Sequence, residues 1–85
     1  MKLTVLGGGG VRSAFLAKSL AYNAHRIGLT EVVFLDNSAD NLAIFGEIAR
    51  YVFNTIRPDI QFSTTTDPVV ALQDANYIIT TLRVG

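Results

Sequence analysis

Four consecutive glycines, Gly7, Gly8, Gly9 and Gly10, followed by Val11 and Arg12, are the first residues of this 85-residue sequence whose types could do chemistry. Glycines let a backbone turn sharply and come close to a ligand. The N–H groups of Val11 and Arg12, at the start of a helix, are placed to face an anion such as a pyrophosphate. In the register Gly7-x-Gly9-x-x-Arg12 the third position is arginine, so the match to a dinucleotide fingerprint is incomplete. A glycine-rich turn without a ligand is the alternative. The unbroken run of glycines argues against it, because each costs chain entropy and a turn needs only one or two.

A carboxylate follows at Asp36, with Asn37 beside it, at the end of an apolar run. An acid at that point can accept a hydrogen bond from a ribose hydroxyl. It lies 29 positions after Gly7, beyond the ~20 of the usual fingerprint, and a long intervening helix accounts for the difference. The competing role is structural: Asp36, Asn37 or Ser38 could simply cap the next helix. Arg12 in the first turn of a helix opposes the helix dipole, and a bound anion would reverse that sign; a solvated arginine pointing away is the alternative. Thr81 and Arg83 end the last apolar run. Arg83 is either a site residue beside the cofactor crevice or a surface charge closing a strand. His25, the single histidine, has no partner near in sequence and reads as a surface residue.

The elements that must position these groups alternate. Residues 2–6 read as a buried strand. Residues 11–27 read as a helix, with apolar positions 11, 15, 16, 20, 24 and 27 as its stripe and Gly28 as its terminator. Residues 31–35 (EVVFL) are apolar almost throughout, as in a strand covered on both faces of a parallel sheet. A second helix spans 38–56, with Leu42, Phe45, Ile48, Ala49, Val52 and Ile56 on its inner face and a Glu47–Arg50 pair at i,i+3. It stops before Pro58. The threonine-rich stretch 60–65 suits an edge strand. Asp67 and Pro68 open a short helix, and residues 77–82 form a fourth strand. The β-α-β-α-β-α-β order with right-handed crossovers predicts an α/β, Rossmann-like doubly wound parallel sheet of strand order 3-2-1-4. It is incomplete: the adenosine-binding half and the first strand past the switch point.

Composition narrows the function classes. Formal net charge is zero, so no basic surface for nucleic acid is expected. Cysteine is absent, which excludes disulfides and thiolate metal sites within these residues. No apolar run approaches the ~20 residues of a membrane span, and no secretory signal opens the sequence. A cytoplasmic location is expected.

The stretches VLGGGGVRS, TEVVFLDNS and TTDPVVALQDANYIITTLRVG together resemble glycoside hydrolase family 4, the NAD- and divalent-metal-dependent glycosidases, many acting on 6-phosphosugars. Within it the sequence looks closest to 6-phospho-β-glucosidases. The resemblance covers all 85 residues but only the N-terminal part of the family's longer polypeptide. It departs from the pattern at Gly10, where serine is frequent, at Ala14, where proline is frequent, and at Asn76, where an acid is common. The resemblance implies a redox elimination, an exception to two-carboxylate glycoside hydrolysis. NAD⁺ takes a hydride from C3, a base removes the acidified C2 proton, the aglycone leaves, water adds and the hydride returns. A manganese-type ion polarises the sugar oxygens.

It also implies that the metal ligands, the base and most sugar-phosphate contacts lie beyond residue 85. The 85 residues alone would then be a partial NAD-binding domain without glycosidase activity. Gly7, Gly8, Gly9, Gly10, Val11, Arg12, Asp36, Asn37, Thr81 and Arg83 would serve the cofactor, and a phosphorylated sugar would be the parent's substrate. Two other readings fit the residues alone: the first half of a lactate- or malate-type dehydrogenase, and a nucleotide-sensing module without chemistry. The strand at 77–82 lacks proline, inward lysine or charge before Arg83, so association of the chain through that edge is expected.

Overall fold

Parallel pairing brings the C-terminal ends of the strands together, and this positions every candidate group. The structure, a computed structural model, describes residues 1–7, 9, 10 and 12–80. Its strands are β1 (Lys2–Leu6), β2 (Glu31–Leu35), β3 (Gln61–Thr65) and β4 (Tyr77–Thr80). They form one sheet of order β3-β2-β1-β4, all neighbours parallel, with Leu6 opposite Leu35 and Thr80. The expected topology is the one found.

Side chains alternate across the sheet. Leu3 and Val5 of β1, Val32 and Phe34 of β2, Phe62 of β3 and Ile79 of β4 face one side. They join a single core with α1 (Ser13–Ile27) and α3 (Glu47–Ile56). Phe62 is its hinge. Its ring meets Phe34 edge-on at 5.0 Å and stacks on Phe53 at 5.2 Å, geometries worth about 0.5–1.5 kcal/mol beyond burial. Arg50 lies over the Phe62 ring, donates to the Phe62 carbonyl, and holds the expected contact with Glu47 at 3.2 Å.

The buried stripe of α1 is the expected one only in part: Leu20 and Ala24 are buried and Leu16 packs against the core, but Phe15 and Ile27 turn outward. Ser13, Ala17, Leu20, Ala21 and Ala24 face inward, while Phe15 is 78% exposed and Ile27 is 45% exposed. The small residues Ser13, Ala17 and Ala21 fill the inward face beside Leu20, and the helix turns Phe15 away from the sheet. Position 11 of the expected stripe lies outside the described residues. The helix ends at Gly28, which is left-handed as expected.

The second helical stretch also differs from a single helix over 38–56. It is α2 (Ala39–Asn41), a π-helical turn (Leu42–Gly46) and then α3. Ser38 caps it, accepting from the Asn41 amide. Leu42 and Ala49 are buried as expected and Val52 and Ile56 pack against the core, but Gly46 and Phe53 are buried where Phe45 and Ile48 were expected to fill the inner face. Ile60, assigned to the third strand from sequence, precedes β3 and is buried.

The other face of the sheet carries α4 (Pro68–Leu72), capped by Asp67 as expected. Thr4, fully buried in the central strand, donates to the Ala71 carbonyl at 2.5 Å. Lys2 Nζ donates to the Gln73 carbonyl at 2.6 Å, a cation at a helix C-terminus, where it is favoured. Asn76, the departure from the family pattern, closes the start of β4. Its side-chain oxygen accepts from the Lys2 amide at 2.8 Å, and its own amide donates to the Lys2 carbonyl at 2.9 Å. Of the expected strand 77–82, positions 81 and 82 lie outside the described residues.

Candidate functional site: the glycine turn and the second-strand carboxylate

Because β1 and β2 run in register to Leu6 and Leu35, the next residues of each strand, Gly7 and Asp36, emerge at the same edge. The Gly7 amide donates to the Leu35 carbonyl at 2.7 Å, prolonging the ladder by one bond. Gly7 then takes φ 86°, a conformation side chains with a Cβ disfavour. The turn is closed by the Gly10 amide donating to the Gly7 carbonyl at 3.2 Å, and α1 begins with the Ser13 amide donating to the Gly10 carbonyl at 3.0 Å.

Arg12 occupies the cap position of α1, with φ −83° and ψ −1°, and its side chain makes no capping bond. It is exposed, and no acid stands in the first turn of α1. No acid within the first turn of α1 offsets the dipole at this end, which suits an anion. Gly8, Val11, Thr81 and Arg83, also expected at the site, lie outside the described residues. Thr80, opposite Leu6, reaches the same end of the sheet.

Asp36 is engaged by both neighbouring segments. Its Oδ2 accepts from the Gly9 amide at 2.9 Å and its Oδ1 accepts from the Ser38 amide at 2.9 Å. The capping role left open among Asp36, Asn37 and Ser38 thus falls to Ser38, and the Asp36 carboxylate ties the Ser38 amide to the glycine turn. A carboxylate offers about four acceptor positions, so two remain for a ligand hydroxyl. Asn37 is exposed on the rim. Gly9 is buried against these groups: a Cβ there would lie 2.8 Å from Asp36 Oδ2 and 3.0 Å from Asn41 Cβ. The turn, the acid-free helix start and the carboxylate together fit the pyrophosphate and ribose of a dinucleotide.

Asn41 is the member of this site that sequence reasoning missed. Its signal is its place three residues after the capping Ser38, on the first turn that folds back toward the glycines. Among the described residues, no three of His, Asp or Glu come together as a metal site. No helix among them is long and apolar enough to cross a membrane.

Proteins of known activity and structure resemble this chain in sequence and fold. The 6-phospho-alpha-glucosidase of Leptotrichia buccalis is 28% identical over 83 residues, covering 98% of this chain and 19% of that protein. A crystal structure of a 6-phospho-alpha-glucosidase from gut microorganisms, in complex with NAD and Mn²⁺, superposes with a TM-score of 0.90 at 27% identity, over 99% of this chain and 19% of that one. The 6-phospho-beta glucosidase of Thermotoga maritima, solved with manganese, NAD⁺ and glucose-6-phosphate, superposes with a TM-score of 0.82 at 25% identity, over 100% of this chain and 20% of that one. The chain thus spans about a fifth of the length of these relatives. The family model described as "Family 4 glycosyl hydrolase" matches residues 2–85. The 3-2-1-4 sheet and the glycine turn are equally those of the lactate- or malate-type alternative, and the family match decides between them: the chain belongs to the family 4 glycosyl hydrolases.

Proposed function

We propose that residues 1–85 are the NAD-binding portion of a 6-phosphoglucosidase. The observation that carries this reading is the Asp36 carboxylate held against the turn at Gly9, where the adenosine ribose of a dinucleotide would lie. Gly7, Gly8, Gly9 and Gly10 would form the pyrophosphate turn, with the amides of Val11 and Arg12 donating to it. Asp36 and Asn37 would meet the ribose, and Thr81 and Arg83 would line the crevice. When bound, NAD supplies a hydride acceptor that returns the hydride to the sugar, so that it acts as a cofactor. The residues here bind and orient; none is assigned a proton-transfer step, and none is assigned to the divalent metal.

The substrate class rests on the relatives, which are named for 6-phosphoglucosides of both anomers. The β-anomer is what the resemblance of the sequence to 6-phospho-β-glucosidases implies, and a phosphorylated sugar suits the expected cytoplasmic location. The test is release of nitrophenol from nitrophenyl 6-phospho-α- and 6-phospho-β-glucosides by the full-length polypeptide, with NAD⁺ and Mn²⁺. Release without accumulation of NADH is expected, faster for the β-anomer, and none is expected from residues 1–85 alone. Stoichiometric NADH, or no release from either anomer, contradicts the proposal; faster α-anomer cleavage contradicts the β assignment only.

A further inference from the structure

We infer that Gly9 is a specificity-determining residue for the adenosine ribose, acting by positioning the Asp36 carboxylate; the inference rests on the NAD reading above. The second glycine of such turns is ordinarily explained by close approach of the backbone to the pyrophosphate. Here its missing side chain is occupied from the protein side. A Cβ on Gly9 would stand 2.8 Å from Asp36 Oδ2, 2.9 Å from Asp36 Cγ and 3.0 Å from Asn41 Cβ, distances that force something to move. Asn41 is fixed by its backbone in the helical turn capped by Ser38. The carboxylate is the group free to give way.

The same glycine also supplies the amide that holds Asp36 Oδ2 at 2.9 Å, while Ser38 holds Oδ1 at 2.9 Å. Two fixed donors on two segments leave the carboxylate one orientation, with its remaining lone pairs presented to a ligand hydroxyl. Ribose recognition is therefore set by the glycine turn as well as by the acid, and a methyl group at position 9 would undo it without touching Asp36 itself. Asp36 would be the contacting residue and Gly9 the positioning one.

The experiment compares NAD⁺ with its analogue lacking the adenosine-ribose 2′-hydroxyl, by calorimetric titration of the full-length polypeptide as wild type, Gly9→Ala, Asp36→Ser and the double variant. Wild type should bind NAD⁺ about tenfold or more tightly than the analogue, the worth of one charge-assisted hydrogen bond. Gly9→Ala should bring the two ligands within about twofold, as Asp36→Ser does. In the Asp36→Ser background Gly9→Ala should cost less than about threefold further, since close neighbours couple. Should Gly9→Ala fail to fold, Asp36→Glu, which keeps the charge but lengthens the arm beside Gly9, should lose the same discrimination. A Gly9→Ala or Asp36→Glu protein that keeps the full 2′-hydroxyl discrimination overturns this inference alone. A wild type that binds no NAD⁺ overturns the dinucleotide reading and this inference with it.

Discussion

Asp36 Oδ2 lies 2.9 Å from the Gly9 amide nitrogen, 27 residues earlier in the chain, so a single side chain ties the glycine turn to the end of β2. The other oxygen ties the same carboxylate to the Ser38 amide. Removing it in Asp36→Ala leaves two part-buried N–H groups without their acceptor, an expected cost of about 1–3 kcal/mol. Asp36→Asn, which keeps one carbonyl oxygen, should lose less. Urea denaturation of the ligand-free protein measures both, and unchanged midpoints would mean that water replaces the carboxylate without loss.

The aromatic cluster gives a paired test. Phe53 is fully buried and stacked on Phe62, so Phe53→Ala should destabilise by about 3–5 kcal/mol. Phe15, at 78% exposure, should tolerate alanine within about 0.5 kcal/mol. The reverse order in a denaturation series would show that α1 presents the opposite face to the sheet.

Asp59 should titrate low. The side-chain hydrogen bond from Arg57, at 2.7 Å to Oδ2, lowers its pKa from the ordinary 3.8 to about 2. A depressed carboxyl pKa stabilises the fold above the unfolded value and loses that contribution as pH falls from 3.8 through about 2. An NMR titration should place the Asp59 midpoint near 2 and return it toward 3.8 in Arg57→Gln. A midpoint unmoved by that substitution would show that the ion pair does not persist in solution.

Among the described residues β4 is an edge of the sheet, with Tyr77 62% and Ile78 53% exposed. An unprotected edge beside exposed apolar side chains invites pairing with a second copy. The 85-residue chain is expected to self-associate in sedimentation across a concentration series. Ile78→Glu should weaken the association; Ile79 is unsuitable for this purpose because it packs on the core. A strictly monomeric chain at every concentration contradicts the expectation.

Strand identity was legible where apolar residues run without a break, as in EVVFL of β2, and the Asp67–Pro68 pair announced α4 by its capping chemistry. The faces of the helices were legible only in part to a count of large apolar side chains: Leu20, Leu42, Val52 and Ile56 reach the core, and Phe15 and Ile48 do not. The inward stripe of α1 is built on Ser13, Ala17, Ala21 and Ala24, whose small size matters more to close packing than their weak hydrophobicity. Phe53 escaped for a related reason: the inward row it shares with Leu42, Gly46 and Ala49 includes a glycine that no hydrophobic pattern selects, and it begins in a π-helical turn that leaves no mark in residue type. At the site, the glycine run and the acid were each visible. Their contact was not, since 27 residues separate Gly9 from Asp36 and only the register of β1 on β2 brings them together.

Asp36, at the edge of the glycine turn, is proposed to select NAD by its ribose. Its carboxylate can accept from a 2′-hydroxyl and would repel a 2′-phosphate, a like-charge contact costing several kcal/mol when desolvated. Competitive titration of NAD⁺ and NADP⁺ on the full-length polypeptide, wild type beside Asp36→Ala, tests this most directly. Wild type should prefer NAD⁺ by at least about tenfold, and the variant should lose that preference. Equal or tighter binding of NADP⁺ by the wild type would contradict this and leave Asp36 only as the structural tie between the Gly9 and Ser38 amides.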